Sequence, residues 1–231
     1  MKELITKDNC YIQHNCKKFS QNICNEVFCI RLYKMNELYD LSLLSMQQRQ
    51  PIILKLDSSK VDEQAYLTLN SYQQDIVNFV QMGHNVYICS PIAGNGKTSW
   101  AIKLIQAYLQ KIWATSDLVC RALFINVPTY TRELKLSIGR YSEYIQMVND
   151  SVLTADIVVW DDIAIKSNSS YEYEQLLSII DTRINDKKCN IFTSNVLPND
   201  LSKCLGSRLS SRILGTSSVI ELKGVDKRGW K

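Results

Sequence analysis

Five short apolar runs, separated by stretches of helical periodicity, constrain what this chain can become more than any other feature. They cover residues 86–89, 122–126, 157–160, 191–193 and 219–222. Runs this short and this continuously apolar suit strands buried on both faces. Strands that alternate with helices form a parallel sheet clad by helices on either side. The intervening helices are predicted from an N-cap at Asp62 to near Gly83, and over 100–113, 131–150 and 171–184. Within 100–113, Ala101, Leu104, Ile105, Tyr108 and Ile112 share one face, with Lys103, Gln106, Gln110 and Lys111 opposite. A chain of 231 residues has room for one sizeable α/β domain and a small appendage. Its apolar content of 45% and charged content of 22% are those of a soluble globular protein.

The first run leads directly into Ser90-Pro91-Ile92-Ala93-Gly94-Asn95-Gly96-Lys97-Thr98-Ser99. Strand, glycine-containing loop, Gly-Lys-Thr and helix is the arrangement that cradles nucleotide phosphates. Gly94 and Gly96, flanking Asn95, let backbone N–H groups between Ala93 and Ser99 turn inward around phosphate oxygens. Lys97 sets a mobile positive charge on the β- and γ-phosphates, and Thr98 offers a hydroxyl to Mg²⁺. The cofactors expected are therefore ATP and Mg²⁺. Pro91 stands where the pattern G-x-x-x-x-G-K-[ST] has its first glycine, so one N–H is lost and φ is fixed.

A phosphate loop needs a partner that holds the metal and orients water. Residues 157–160 end in Asp161-Asp162, which puts both carboxylates at the carboxyl edge of the sheet, where ligands bind. Asp161 is the candidate for Mg²⁺, through the ion's water shell, and Asp162 for polarising the attacking water. Glutamate is commoner in the second role, and the shorter aspartate predicts slow turnover. In isolation the pair reads as a turn or helix cap; after an apolar strand and downstream of a Lys-Thr loop it reads as catalytic. The next run ends in Thr193-Ser194-Asn195, and Asn195 is the candidate for holding water against the γ-phosphate. Arg208 and Arg212 lie four residues apart on one helix face. They are candidates for stabilising the transition state, in trans from a neighbouring copy, with surface salt bridging as the plainer alternative.

Residues 1–61 differ from the α/β region of 62–231. They hold a predicted helix over 31–46, a polar connector with an apolar run at 52–54, and half of the eight cysteines. The first residues lack the apolar core of a signal peptide, and no stretch approaches a membrane span. The expectation is a cytoplasmic protein with no membrane partner, in which disulfides are not the default. Cys10, Cys16, Cys24 and Cys29 then suggest a tetrahedral Zn²⁺ that stabilises a segment too small for its own core. Their spacing, C-x5-C-x7-C-x4-C, lacks a C-x2-C knuckle. His14 could replace one thiol, and an iron–sulfur cluster or four free thiols stay open. Cys89, Cys120, Cys189 and Cys204 read as small buried apolar residues. The net charge of +4 permits nucleic-acid contact without arguing for it.

Taken in order, Gly-Asn-Gly-Lys-Thr, Val-Val-Trp-Asp-Asp-Ile, Thr-Ser-Asn, Leu-Gly-x-Arg-x-x-x-Arg-Ile and Lys-Gly-x-Asp-x-Arg-Gly resemble the DnaC/DnaI-type replicative helicase loaders. These are AAA+ ATPases of bacteria and their phages, and the resemblance covers about residues 62–231. It implies a RecA-like αβα core with a five-stranded parallel sheet and no large C-terminal helical lid. By that resemblance Lys97 and Thr98 belong to Walker A, Asp161 and Asp162 to Walker B, and Asn195 is sensor 1. Arg212 looks like the arginine finger, with Arg208 beside it, and Arg228 looks like a sensor-2 arginine. The implied role is a slow, partner-stimulated ATPase that delivers a DnaB-type hexameric helicase onto single-stranded DNA, self-assembling into a ring or spiral with ATP. Residues 1–61 would dock the helicase. Lys135, Arg140 and Tyr141 are candidates for DNA contact by charge and stacking, with a solvated amphipathic helix as the plainer reading of any one of them. A transposition helper ATPase of the IstB type shares this core and is the alternative, as is a non-hydrolysing inhibitor or scaffold.

Overall fold

A computed structural model describes residues 10–13, 16–24, 29–56, 59–164 and 170–227. Its centre is a sheet of β1 (Asn85–Cys89), β2 (Ala122–Asn126), β3 (Ile157–Asp161), β4 (Cys189–Ser194) and β5 (Ser217–Glu221) in the order β2-β3-β4-β1-β5. Every neighbouring pair is parallel. Side chains alternate across the pleat. Val86, Ile88, Phe124, Val159 and Ile191 enter one core, while Tyr87, Leu123, Ile125, Val158, Trp160 and Phe192 enter the other. Because helices cover both faces, both sets must be apolar, which is why the runs read as continuous.

The helices divide by face. The short α1 (Lys17–Ser20) buries no side chain. The first core gathers buried side chains of α2 (Ile30–Leu41), α3 (Glu63–Gln74), α4 (Ile76–Gln81) and α5 (Lys97–Ile112). The second gathers those of α6 (Val127–Leu136), α7 (Glu143–Ser151), α8 (Ser170–Asn185) and α9 (Pro198–Thr216). The expected αβα layers and five-stranded parallel sheet are present. Among the described residues no helix is long and apolar enough to cross a membrane.

Several predicted elements take a different form. The helix expected from 62 to 83 is broken at Asp75 (φ −105°, ψ 34°), which ends α3 and precedes α4. Asp62 stands at the N-cap position of α3 as expected, but its side chain does not cap the helix. It is buried and accepts from the backbone N–H groups of Lys223 (2.6 Å) and Gly224 (3.0 Å). The helix expected over 131–150 is two, α6 and α7, with Gly139 in the turn between them. Each has its own cap: Asn126 accepts from Thr129 N at 3.2 Å and Ser142 from Ile145 N at 3.4 Å. The helix expected over 31–46 stops at Leu41, and Leu43 turns left-handed (φ 59°). Residues 52–54 join no strand; Ile52, Leu54 and Leu56 lie half-buried along the first core. Tyr11, Ile12, Met35, Leu38, Tyr39 and Leu44 are buried in that same core, alongside Leu104 and Ile105 of α5.

Candidate nucleotide-binding site

The loop between β1 and α5 is shaped largely by side chains. Ser90 is fully buried, and its hydroxyl accepts from Ile92 N (3.1 Å) and from Asn95 Nδ2 (2.6 Å). Asn95 Nδ2 also donates to the Leu222 carbonyl at 3.0 Å. The bond from Ile92 N shapes the turn immediately after Pro91, which has no N–H of its own. Lys97 Nζ donates to the Ile92 carbonyl (2.9 Å) and to Asn95 Oδ1 (3.4 Å), so the ammonium already sits inside the curl of the loop. At the end of β1, burial pushes the Cys89 thiol up to about 11; Glu221 adds to the rise and Lys97 opposes it.

Two further segments brace this loop from outside. Lys227 N donates to the Gly94 carbonyl at 3.0 Å, and a Cβ at Gly94 (φ 71°) would overlap the Asp226 carboxylate. Glycine is therefore required there both for its backbone angle and for close approach. Leu54, from the connector, lies against Gly96. Lys227 Nζ ties the two braces together, donating to the Lys55 carbonyl (3.1 Å) and to Tyr66 Oη (2.7 Å). Nothing in the local sequence announces these braces, because they depend on tertiary contacts.

The strands β3 and β4 supply the opposite wall. Asp161, at the end of β3, is 4% exposed, and its Oδ1 accepts from Thr98 Oγ1 at 2.8 Å and from Thr193 Oγ1 at 2.7 Å. Its Oδ2 accepts from Asn126 Nδ2 at 3.3 Å. Asp162 turns left-handed (φ 54°), and its Oδ1 accepts from Asn195 Nδ2 at 3.4 Å. Ala93, Gly94, Gly96, Lys97, Thr98, Ser99, Asp162 and Asn195 line one cleft of about 220 Å³. Residues chosen from separate stretches of sequence thus meet at the carboxyl edge of one sheet. Thr193 and Asn126, which hold Asp161, were not among them.

The donor set suits Mg²⁺, which takes hard oxygen ligands and keeps most of its shell as water and phosphate. Thr98 and Asp161 offer one hydroxyl and one carboxylate already within hydrogen-bond distance. A larger cleft, of about 480 Å³, opens at the opposite sheet edge, lined in part by Tyr108, Arg121, Asp156 and Lys188. Its central carboxylate is engaged: Asp156 accepts from Tyr108 at 2.9 Å and pairs with Arg121 and Lys188.

Other expected residues lie elsewhere. Arg208 and Arg212 are exposed on α9, and Arg212 Nε pairs with Asp181 Oδ1 of α8 at 2.9 Å. Arg228 and His14 lie outside the described residues. Tyr141 is 80% exposed, and Arg140 is exposed beside it in the α6–α7 turn. Lys135 instead pairs with the buried Glu172 at 2.9 Å. Burial raises the Cys10 thiol, and Cys29, Cys16 and Cys24 push it the same way. Yet among the described residues no group of three or more His, Cys, Asp or Glu is arranged to hold a metal ion, so the zinc expectation gains no support. Cys89 and Cys189 are buried as expected, whereas Cys120 and Cys204 are only partly so.

No protein-family model matches the chain, and no curated protein matches its sequence. Solved structures do share its fold. The DnaC helicase loader aligns at a TM-score of 0.59 and 22% identity, covering 74% of this chain and 94% of that one. DnaI aligns at 0.54 and 18%, covering 79% and 92%. The replication initiator DnaA bound to AMPPCP and single-stranded DNA aligns at 0.54 and 18%, covering 71% of this chain and 46% of that one. This chain shares the α/β fold of these solved structures.

Proposed function

We propose that this chain is an ATP-dependent loader that delivers a replicative, DnaB-type hexameric helicase onto single-stranded DNA. The observation that carries the enzymatic part is the Thr98–Asp161 contact at 2.8 Å, which joins the phosphate loop to the carboxylate edge beside Lys97, Asp162 and Asn195. In this reading Lys97 exchanges its loop carbonyl for the β- and γ-phosphates, while the loop's N–H groups take the remaining oxygens. Mg²⁺, held through Thr98 and Asp161, would neutralise charge on the phosphate oxygens. Asp162 polarises the attacking water and Asn195 holds it in line. Among the described residues no arginine lines the cleft, and Arg208 and Arg212, exposed on α9, would serve the site of an adjoining copy in a ring or spiral. Arg228 is assigned to the nucleotide by resemblance alone.

The loading role draws on likeness to the DnaC and DnaI structures. Residues 1–61 are proposed as the helicase-docking part and 62–231 as the ATPase part. Exposed Ile23, Ile30 and Tyr33 in the former give a partner apolar surface to bind. Arg140 and Tyr141 are the proposed DNA contacts; Lys135, committed to Glu172, is less available. Zinc is left out of the proposal.

Co-purification with a replicative helicase, with and without ATP, tests the reading. Wild-type protein should bind a fluorescent ATP analogue and capture the helicase in a nucleotide-dependent way. Lys97→Ala should weaken analogue binding by about tenfold to a hundredfold, as expected for loss of a charge-assisted hydrogen bond. A wild-type protein that binds no analogue refutes the nucleotide site. Recovery of a transposase in place of a helicase favours the transposition helper.

A further inference from the structure

Thr193 is fully buried inside β4, in a strand whose other interior side chains are mostly apolar. A buried hydroxyl costs free energy unless it is hydrogen-bonded, and this one is bonded twice. It donates to Asp161 Oδ1 at 2.7 Å and accepts from the backbone N–H of Asp162 at 3.0 Å. The Thr193 carbonyl accepts from Ile163 N at 3.0 Å as well. One residue of β4 therefore grips three consecutive residues at the end of β3.

The grip falls where the backbone takes a left-handed angle. Asp162 has φ 54°, a left-handed angle that costs a non-glycine residue about 1 kcal/mol or more and persists only where the surroundings impose it. The bend brings the Asp162 carboxylate to Asn195, and both line the cleft with Lys97 and Thr98. An aspartate is one methylene shorter than the glutamate more usual in its role, so its aim depends more on the backbone. On Asp161, the Thr193 hydroxyl orients the oxygen that also accepts from Thr98.

We propose that Thr193 is a positioning residue for both carboxylates: its hydroxyl orients Asp161 toward the Mg²⁺ side of Thr98 and fixes the left-handed turn that aims Asp162 at the cleft. This rests on the nucleotide-site reading above and extends it to a residue that touches neither nucleotide nor water. It separates two properties that a merely structural role would move together. Nucleotide binding without Mg²⁺ depends on the phosphate loop, and the gain on adding Mg²⁺ depends on the carboxylate edge.

The test measures fluorescent ATP-analogue affinity with and without Mg²⁺, with kcat and KM for hydrolysis and a thermal melt, for wild type, Thr193→Val, Thr193→Ala and Thr193→Ser. In Thr193→Val the Mg²⁺-free affinity should stay within about twofold of wild type. The affinity gained from Mg²⁺ should shrink about tenfold or more, the usual loss when a partner that orients a metal ligand is removed. The fall in hydrolysis should lie in kcat more than in KM, and Thr193→Ser should restore both within about threefold. Thr193→Ala is read the same way if the valine variant does not fold. A wild-type Mg²⁺ gain in either variant, or an equal loss of Mg²⁺-free binding, overturns the proposal while leaving the nucleotide site standing. Absence of analogue binding by the wild type overturns both.

Discussion

Arg183 carries a charge into the interior, and among the described residues no carboxylate is bonded to it. It is fully buried, and burial lowers its affinity for the proton, bringing its pKa down to about 10. Its fork reaches Asn190 Oδ1 (2.8 Å) and the carbonyls of Val152 (2.6 Å), Ala155 (2.8 Å) and Cys189 (2.7 Å). It thereby joins the C-terminal part of α7 to the starts of β3 and β4. Arg183→Ala leaves these acceptors buried and opens a cavity, so we expect a loss of at least about 3 kcal/mol in urea unfolding. Arg183→Lys should recover little of it, since a point charge cannot span four acceptors. The loop between β1 and α5 stood out in the sequence because Gly-x-Gly-Lys-Thr falls between an apolar strand and an amphipathic helix. Arg183 was not read, although its spacing from Leu176 and Ile180 puts a charge on an apolar helix face. Thr193 left no mark, because threonine is an ordinary strand residue and its hydroxyl matters only through what β3 places beside it.

Helix α9 has glycine at its kink. Gly206 holds φ 70°, ψ 162°, a combination open only to glycine, and Ser210 Oγ closes the kink by donating to the Gly206 carbonyl at 2.7 Å. The bend lets Leu201 and Leu205 before it, and Leu209 and Ile213 after it, all bury against the same core. Arg208 and Arg212 are consequently turned outward. A methyl at Gly206 would stand 3.4 Å from Tyr173 Oη, so backbone strain outweighs crowding. Gly206→Ala is expected to cost about 1–3 kcal/mol, read as a lower urea midpoint with an unchanged slope. Apolar periodicity gave the strands to within about two residues but merged helices, because a break needs only one residue off the helical angle. Gly139 was a visible signal for one break; Asp75 was not.

The described residues between 10 and 56 share one hydrophobic interior with the α/β core. Met35, Leu38, Tyr39 and Leu44 are essentially excluded from solvent within the cluster that contains Leu104 and Ile105 of α5. Each such side chain contributes about 1.5–3 kcal/mol on burial. A protein starting at residue 62 should therefore melt about 10 °C or more below the full chain, or associate through the uncovered α5 face. Differential scanning calorimetry and gel filtration of the two forms check this. Composition marked residues 1–61 as different in kind, but where such a segment packs follows from surfaces that only the folded core presents.

The braces on the phosphate loop also fix an order of assembly. Lys223 meets Asp62 across 161 positions of sequence, and Lys227 meets Lys55 across 172. A growing chain folds from its N-terminal side, and contacts this distant form late. The cleft beside Lys97 is thus finished only when residue 227 becomes available, long after Lys97 has been made. An incomplete chain would carry every residue of the loop between β1 and α5 while lacking what holds that loop in shape.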